Sequence, residues 1–331
     1  MTELLISLVV SFFIGLLIGS PVIKYLRKQK AGQSILEYVE MHSSKQGTPT
    51  MGGIIFLASL IFASIILLDE YSYLAIFTIL ITLGYGLIGF LDDYIKIRFK
   101  RNLGLKPYQK IIGQGGLSLI VALACYFNPL VTKSLVLPFG LGEIYVGAWI
   151  IPIIIFIFLA VTNAVNLTDG LDGLAGSVSA VYLCAFGVLL SAVTLDLYNN
   201  GASNELIEEY GNLMVVIGAM IGGLLAFLFY NSHPAKVFMG DVGSLALGAL
   251  IASLACFTGL IFYIPFLGLM FVISTVSVIM QVLYYKKTKK RIFLMAPLHH
   301  HFEKKGVNES KIVSIYIIIT IIISAITLIL D

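Results

Sequence analysis

About ten stretches of roughly 20 mostly apolar residues follow one another along this 331-residue chain, each long enough to cross a ~30 Å hydrocarbon core as a helix. They cover residues 4–25, 51–68, 71–91, 111–128, 144–165, 174–195, 210–230, 242–260, 262–285 and 312–330. A bilayer offers no partner to an open backbone N–H or C=O, so only helices or closed barrels span it. Barrel strands would alternate polar and apolar residues over about ten positions, whereas these runs are continuously apolar. The expectation is an all-α integral membrane protein with about ten transmembrane helices. Charged residues make up 12% of the chain, against roughly 25% in an average soluble domain, which argues against a soluble fold. No repeat or linker divides the sequence, so residues 1–331 read as a single domain. The first run carries Glu3, has no basic flank before it, and is followed by Lys24 to Lys30, which marks a first span and not a cleaved leader. Cys125, Cys184 and Cys256 all fall inside apolar runs and read as packing residues without a disulfide framework.

The charges orient the spans. When the loops are numbered in order, the odd-numbered set holds 20 of the 21 Lys and Arg residues and the other set holds only Lys133. The positive-inside rule therefore places the odd loops in the cytoplasm and both termini outside. The outside loops carry acids instead, among them Asp69, Asp196 and Glu209. One outside loop, Leu135 to Tyr145, flanks Pro138, Gly140 and Gly142 with β-branched and apolar residues and predicts a small extracytoplasmic hairpin. Gly218 and Gly222, four apart, predict a close helix contact.

With that orientation, the distinctive polar motifs share the cytoplasmic rim. Asp92 and Asp93 close the third apolar run, where adjacent carboxylates repel each other and oppose the helix dipole by up to ~1 kcal/mol. Lys96, one turn on, offsets part of this. Asn163, Asn166, Asp169 and Asp172 recur at three-residue intervals with Gly170 and Gly173 after the aspartates. Such a loop suits magnesium or the hydroxyls and imide of a nucleoside, or simply caps the next helix through Asp172. Asp241, followed by Gly243 and Ser244, opens the eighth run, where it can cap the helix or face a phosphate. Phe238 at the rim can face lipid or stack on a base. His299, His300 and His301 stand among Lys286 to Arg291 and Lys304 with no cysteine nearby, which suits a diphosphate better than structural zinc. Hard oxygen donors balanced by cations select magnesium or manganese and suit phosphoryl chemistry. A transporter would place its ionisable residues at mid-membrane depth instead.

In order and over nearly the whole chain, the motifs Gly47-Thr-Pro-Thr-Met-Gly-Gly53, Asp92-Asp-Tyr-Ile-Lys96, Asn166-Leu-Thr-Asp-Gly170 and Pro297-Leu-His-His-His-Phe-Glu303 resemble those of the polyprenyl-phosphate N-acetylhexosamine-1-phosphate transferases. The histidine motif resembles most closely the bacterial phospho-N-acetylmuramoyl-pentapeptide branch. The resemblance implies transfer of phospho-MurNAc-pentapeptide from its UDP conjugate to undecaprenyl phosphate, forming lipid I and UMP with Mg2+ at the cytoplasmic face of the bacterial plasma membrane. It implies Asp241 as the magnesium ligand, Asp92 and Asp93 as catalytic carboxylates, and His300 with its neighbours His299 and His301 as diphosphate and catalytic histidines. Gly170, Leu171, Asp172 and Phe238 resemble the uridine pocket, with Asn166, Asp169, Asn231 and Gln281 nearby, and Lys45, Thr50, Lys96 and Lys110 would line the same cleft. A homodimer in the lipid bilayer is usual in such families, and no nucleic-acid partner is expected. A sister enzyme using UDP-GlcNAc and a cation-coupled transporter are the rival readings.

Overall fold

The computed structural model describes residues 1–29, 47–69, 72–99 and 103–331. Its helices are α1 (Thr2–Lys28), α2 (Gly53–Leu67), α3 (Tyr73–Arg98) and α4 (Pro107–Phe127), followed by a hairpin of β1 (Ser134–Val136) and β2 (Glu143–Tyr145). There follow α5 (Ile150–Thr168), α6 (Leu174–Asn199), α7 (Asn204–Asn231), α8 (Gly240–Thr258), the one-turn α9 (Ile264–Leu267), α10 (Leu269–Thr288), α11 (Leu298–Lys304) and α12 (Glu309–Leu330). Among the described residues, nine helices are long and apolar enough to cross a membrane. The protein is a multi-pass, all-α membrane protein. The second run is the exception to the expected ten, because α2 has 15 residues and at 1.5 Å per residue extends only about 22 Å. The ninth run is divided: Gly259, at φ 74°, ends α8, Pro265 sits in the first turn of α9, and the full span starts at Leu269.

The third run extends beyond its apolar part. α3 continues through Asp92 and Asp93 to Arg98, so the pair lies inside the helix and not at its end. Continuation is possible because Lys96, at i+4 from Asp92 and i+3 from Asp93, lies on the same face and meets both carboxylates.

Polar residues also organise the core. Glu209 on α7, which reads as a loop acid in the sequence, is buried and accepts from the backbone N–H groups of Tyr73 and Leu74 at 2.8 and 2.9 Å. It thereby serves as the cap that Ser72 does not provide for α3. Gly218 and Gly222 lie against the backbone of Leu4 and Leu8, which is the expected close contact, here between α7 and α1. The hairpin pairs Leu135 with Ile144 in antiparallel register, and the Val136 N–H donates to Gly259 at 3.0 Å, docking the hairpin on the end of α8. Around it Phe127, Tyr145 and Trp149 are exposed, as aromatic residues are at a membrane interface. Cys125 and Cys256 are buried packing residues, whereas Cys184 points outward from α6.

α8 is buried along nearly its whole length, because small residues let its neighbours approach its backbone. Gly53 of α2 meets Gly243, Gly89 of α3 meets the backbone of Asp241, and Gly248 meets Thr162 of α5. Three helices therefore converge on the helix that carries Asp241.

Candidate active site

The Gly89 contact sets the last two turns of α3 against the first turn of α8. Asp92, Asp93 and Asp241 consequently present ligand oxygens that all lie within 4.8 Å of one another. The Lys96 ammonium stands among them, 2.6 Å from Asp92, 3.5 Å from Asp93 and 3.2 Å from Asp241. Lys110 of α4 reaches Asp241 at 2.6 Å. Backbone donors complete the arrangement: Leu105 N–H donates to Asp92 at 2.8 Å and Val242 N–H to Asp93 at 3.2 Å. The Asn166 amide donates to the other oxygen of Asp241 and to the Ser244 hydroxyl, both at 2.8 Å. Asp241 is thus not a cap for its own helix, since cations and an amide from three other helices take up its carboxylate. Three hard carboxylates in this space fit a divalent cation such as Mg2+ or Mn2+ and would poorly suit a thiophilic metal.

The motif expected as one loop from Asn163 to Gly173 is half helix. α5 runs to Thr168, and only the turn beyond it is irregular. Helical spacing sends Asn166 to Asp241, while the Asn163 amide donates to Gln114 of α4 at 2.8 Å and leaves the site for a structural role. In the turn, Asp169 is pushed up to about 8 by burial and then by the charges of Asp241, Asp93 and Asp172. A Cβ at Gly170 would collide with the imidazoles of His299 and His300, so the glycine lets α11 close over this turn. Leu171 is buried. Asp172 does not cap α6; Gly173, at φ 78°, holds that position.

The Asp172 carboxylate instead accepts from Ala235 N–H at 3.0 Å and faces His233 Nδ1 at 3.3 Å, while its own N–H donates to Glu309 at 2.6 Å. Asn231 accepts from Gly173 N–H at 3.0 Å and donates to the Val237 carbonyl at 2.8 Å. His233 and Glu309 are the residues that sequence reasoning missed. His233 lies two residues after Asn231, which the sequence did single out, but an acid at the start of a helix such as Glu309 draws no notice.

The Gly47–Gly53 segment is strapped to the α8 approach. Phe238 N–H donates to Pro49, and Gly52 N–H donates to Phe238, each at 2.8 Å. Thr50 is buried there with its hydroxyl near Gly240, where the absence of a Cβ leaves room for both Thr50 and Asp93. Phe238 is half-buried at the rim. Lys45 lies outside the described residues.

The histidines divide their work. His300 Nδ1 pairs with Glu303 at 2.9 Å, and its ring lies beside Gly170. His301 and Gln281 both bind the backbone of the loop that follows α10. His301 Nδ1 accepts from Leu294 N–H, and Gln281 accepts from the N–H groups of Ile292 and Phe293, all at 3.0 Å. Together they hold the basic loop that follows α10.

His299 is fully buried, and burial followed by the neighbouring His300 holds it down at about 3. Its folded-state pKa lies below its unfolded value, so the unfolded chain binds the extra proton first and stability falls as pH drops below about 6.5. Between pH 7 and pH 5 this loss is expected to reach about 2 kcal/mol. His299→Phe should show a smaller drop in thermal midpoint over that interval, and an undiminished drop would assign the acid sensitivity elsewhere.

Residues 73–259 match Glycosyl transferase family 4, and residues 45–57 match the phospho-N-acetylmuramoyl-pentapeptide-transferase signature 1. The phospho-N-acetylmuramoyl-pentapeptide-transferase of Clostridioides difficile (strain 630) is 42% identical over 329 residues, covering 99% of this chain and 98% of its own. Those of Bacillus licheniformis and Clostridium perfringens are each 42% identical, the first covering 94% of this chain and 92% of its own, the second 97% and 96%. With such identity over nearly its full length, the chain belongs to the phospho-N-acetylmuramoyl-pentapeptide transferase family.

Proposed function

We propose that this protein transfers phospho-MurNAc-pentapeptide from UDP-MurNAc-pentapeptide to undecaprenyl phosphate, forming lipid I and UMP in peptidoglycan synthesis. The observation that carries the reading is the convergence of Asp92, Asp93 and Asp241 with Lys96 and Lys110 at one end of the bundle, beside the turn from Asp169 to Gly173. Asp241, flanked by the two α3 carboxylates, would hold a Mg2+, which when bound would supply charge neutralisation for the diphosphate. Lys96, Lys110 and His300 bind phosphate oxygens. Gly170, Leu171, Asp172 and Phe238 form the uridine pocket, with Asn166, Asp169, Asn231 and Gln281 nearby.

The acceptor is a phosphate monoester with a second pKa near 6, largely dianionic at neutral pH, so it needs little help from a base. Its oxygen attacks the phosphorus that carries the sugar. A new P–O bond forms to the lipid phosphate, the bond to the bridging oxygen breaks, and that oxygen leaves with UMP. Asp92 orients the acceptor or takes a residual proton. A covalent aspartyl route fits less well, because Asp92 already engages Leu105 N–H through one oxygen and Lys96 through the other.

The proposed arrangement is a single domain in the bacterial plasma membrane, with both termini outside, the hairpin extracytoplasmic and the site facing the cytoplasm. A homodimer is part of this reading. Purified protein given undecaprenyl phosphate should release UMP from UDP-MurNAc-pentapeptide and not from UDP-GlcNAc. Release from UDP-GlcNAc alone would make it a sister enzyme, and solute accumulation in sealed vesicles without UMP release would make it a transporter. A phospho-sugar adduct trapped on the parent protein and absent from Asp92→Asn would replace direct attack by the two-step route.

A further inference from the structure

A lysine that only grips an incoming phosphate needs its ammonium free when substrate arrives. Lys96 is placed otherwise. Its Nζ touches all three carboxylates of the α3–α8 cluster, at 2.6, 3.5 and 3.2 Å, and those carboxylates are the ones whose oxygens gather within 4.8 Å. Lys110 touches Asp241 alone. An ammonium carries three donors, and here each carboxylate faces it. It meets the same charge demand that a divalent cation would meet, from the same position.

We propose that Lys96 is a built-in counter-ion that competes with the divalent cation for the three-carboxylate site and is displaced by it toward the substrate phosphates. Two cations in contact with the same three carboxylates repel each other strongly at such short range, so occupancy by one expels the other. The four-carbon stem makes the move possible without a backbone change, and Lys96 sits two residues from the end of α3 with its side chain 23% exposed. Until the cation arrives, Asp92 and Asp93 keep a partner. Once it is bound, Lys96 is released to the diphosphate. This destination rests on the transferase reading above, whereas the competition rests on the carboxylate geometry alone.

The full-length protein in detergent, titrated with Mn2+ in the absence of nucleotide and followed by electron paramagnetic resonance of the free ion, tests the competition. Lys96→Met, similar in length and uncharged, should bind Mn2+ at least about fivefold more tightly than the parent, at the lower end of typical coupling between two sites. Lys110→Met removes the same charge from one carboxylate only and should gain less. Without cation, Lys96→Met should unfold at a lower temperature than the parent, and Mn2+ should raise its midpoint by more than it raises the parent's, because tighter binding stabilises more. Lys96→Gln repeats the measurement if the methionine variant does not fold. Unchanged or weaker Mn2+ binding in the Lys96 variants, or an equal gain in Lys110→Met, would overturn the inference. Tighter binding in a protein whose parent releases no UMP would remove the transferase reading and leave the competition standing.

Discussion

Asp241→Ala is expected to lower UMP release by roughly 10³-fold or more, the scale on which a preorganised charge-stabilising group contributes to such reactions. The loss is large because one carboxylate draws together side chains from α3, α4 and α5. Its two oxygens take Lys96 and Lys110 on one side and the Asn166 amide on the other, and it is the member of the carboxylate cluster that comes from α8. Without it, two lysines face α3 with one fewer anion, and Asn166 keeps only Ser244 as an acceptor in the site. Steady-state kinetics at saturating UDP-MurNAc-pentapeptide should show the fall mainly in kcat. UMP release that stays within a factor of ten of the parent would mean that the reaction does not use this cluster.

The second large effect is steric. Gly89→Ala places a methyl group where the backbone of Asp241 already lies, so α3 and α8 must separate and Asp241 must draw away from Asp92 and Asp93. Activity should fall by at least roughly 10²-fold, since a displacement of about 1 Å is enough for a loss of that order. Overpacking of this kind costs about 1–3 kcal/mol of stability. Gly116→Ala is the matched control. Nothing lies within 4 Å of its added Cβ, and alanine favours a helix by about 1 kcal/mol over glycine, so the control should retain activity and its thermal midpoint. A Gly89→Ala protein as active as that control would show that the helix spacing does not limit the chemistry.

The spans were legible in the sequence because a bilayer tests each segment separately, by length and apolarity. Where polar residues interrupt such a segment the reading weakened. Asp92 and Asp93 suggested a helix end, yet α3 continues because Lys96, Leu105 N–H and Val242 N–H satisfy them, and two of those partners lie outside the helix. Asn163 suggested a loop ligand for a similar reason, since its partner Gln114 is on α4. The residue types of the site were readable, and so was their gathering at one end of the bundle. The direction of each side chain was not. Gln281, expected near the uridine pocket, and His301, expected at the diphosphate, also bind the backbone from Ile292 to Leu294. Glu309 has the chemistry of an ordinary helix start, and it reaches the Asp172 N–H from the far end of the chain.

The meeting of α3 with α8 also sets the order in which the chain becomes competent during synthesis. The ribosome delivers Asp92, Asp93 and Lys96 early, and the membrane then receives four more helices, α4 to α7, before Asp241 emerges on α8. Until then the α3 carboxylates have Lys96 and, for Asp92, the Leu105 N–H as partners. The turn that carries Asp172 waits longer still, for Glu309 at the start of α12. A chain released before its final helix therefore lacks the contact that Glu309 makes to that turn.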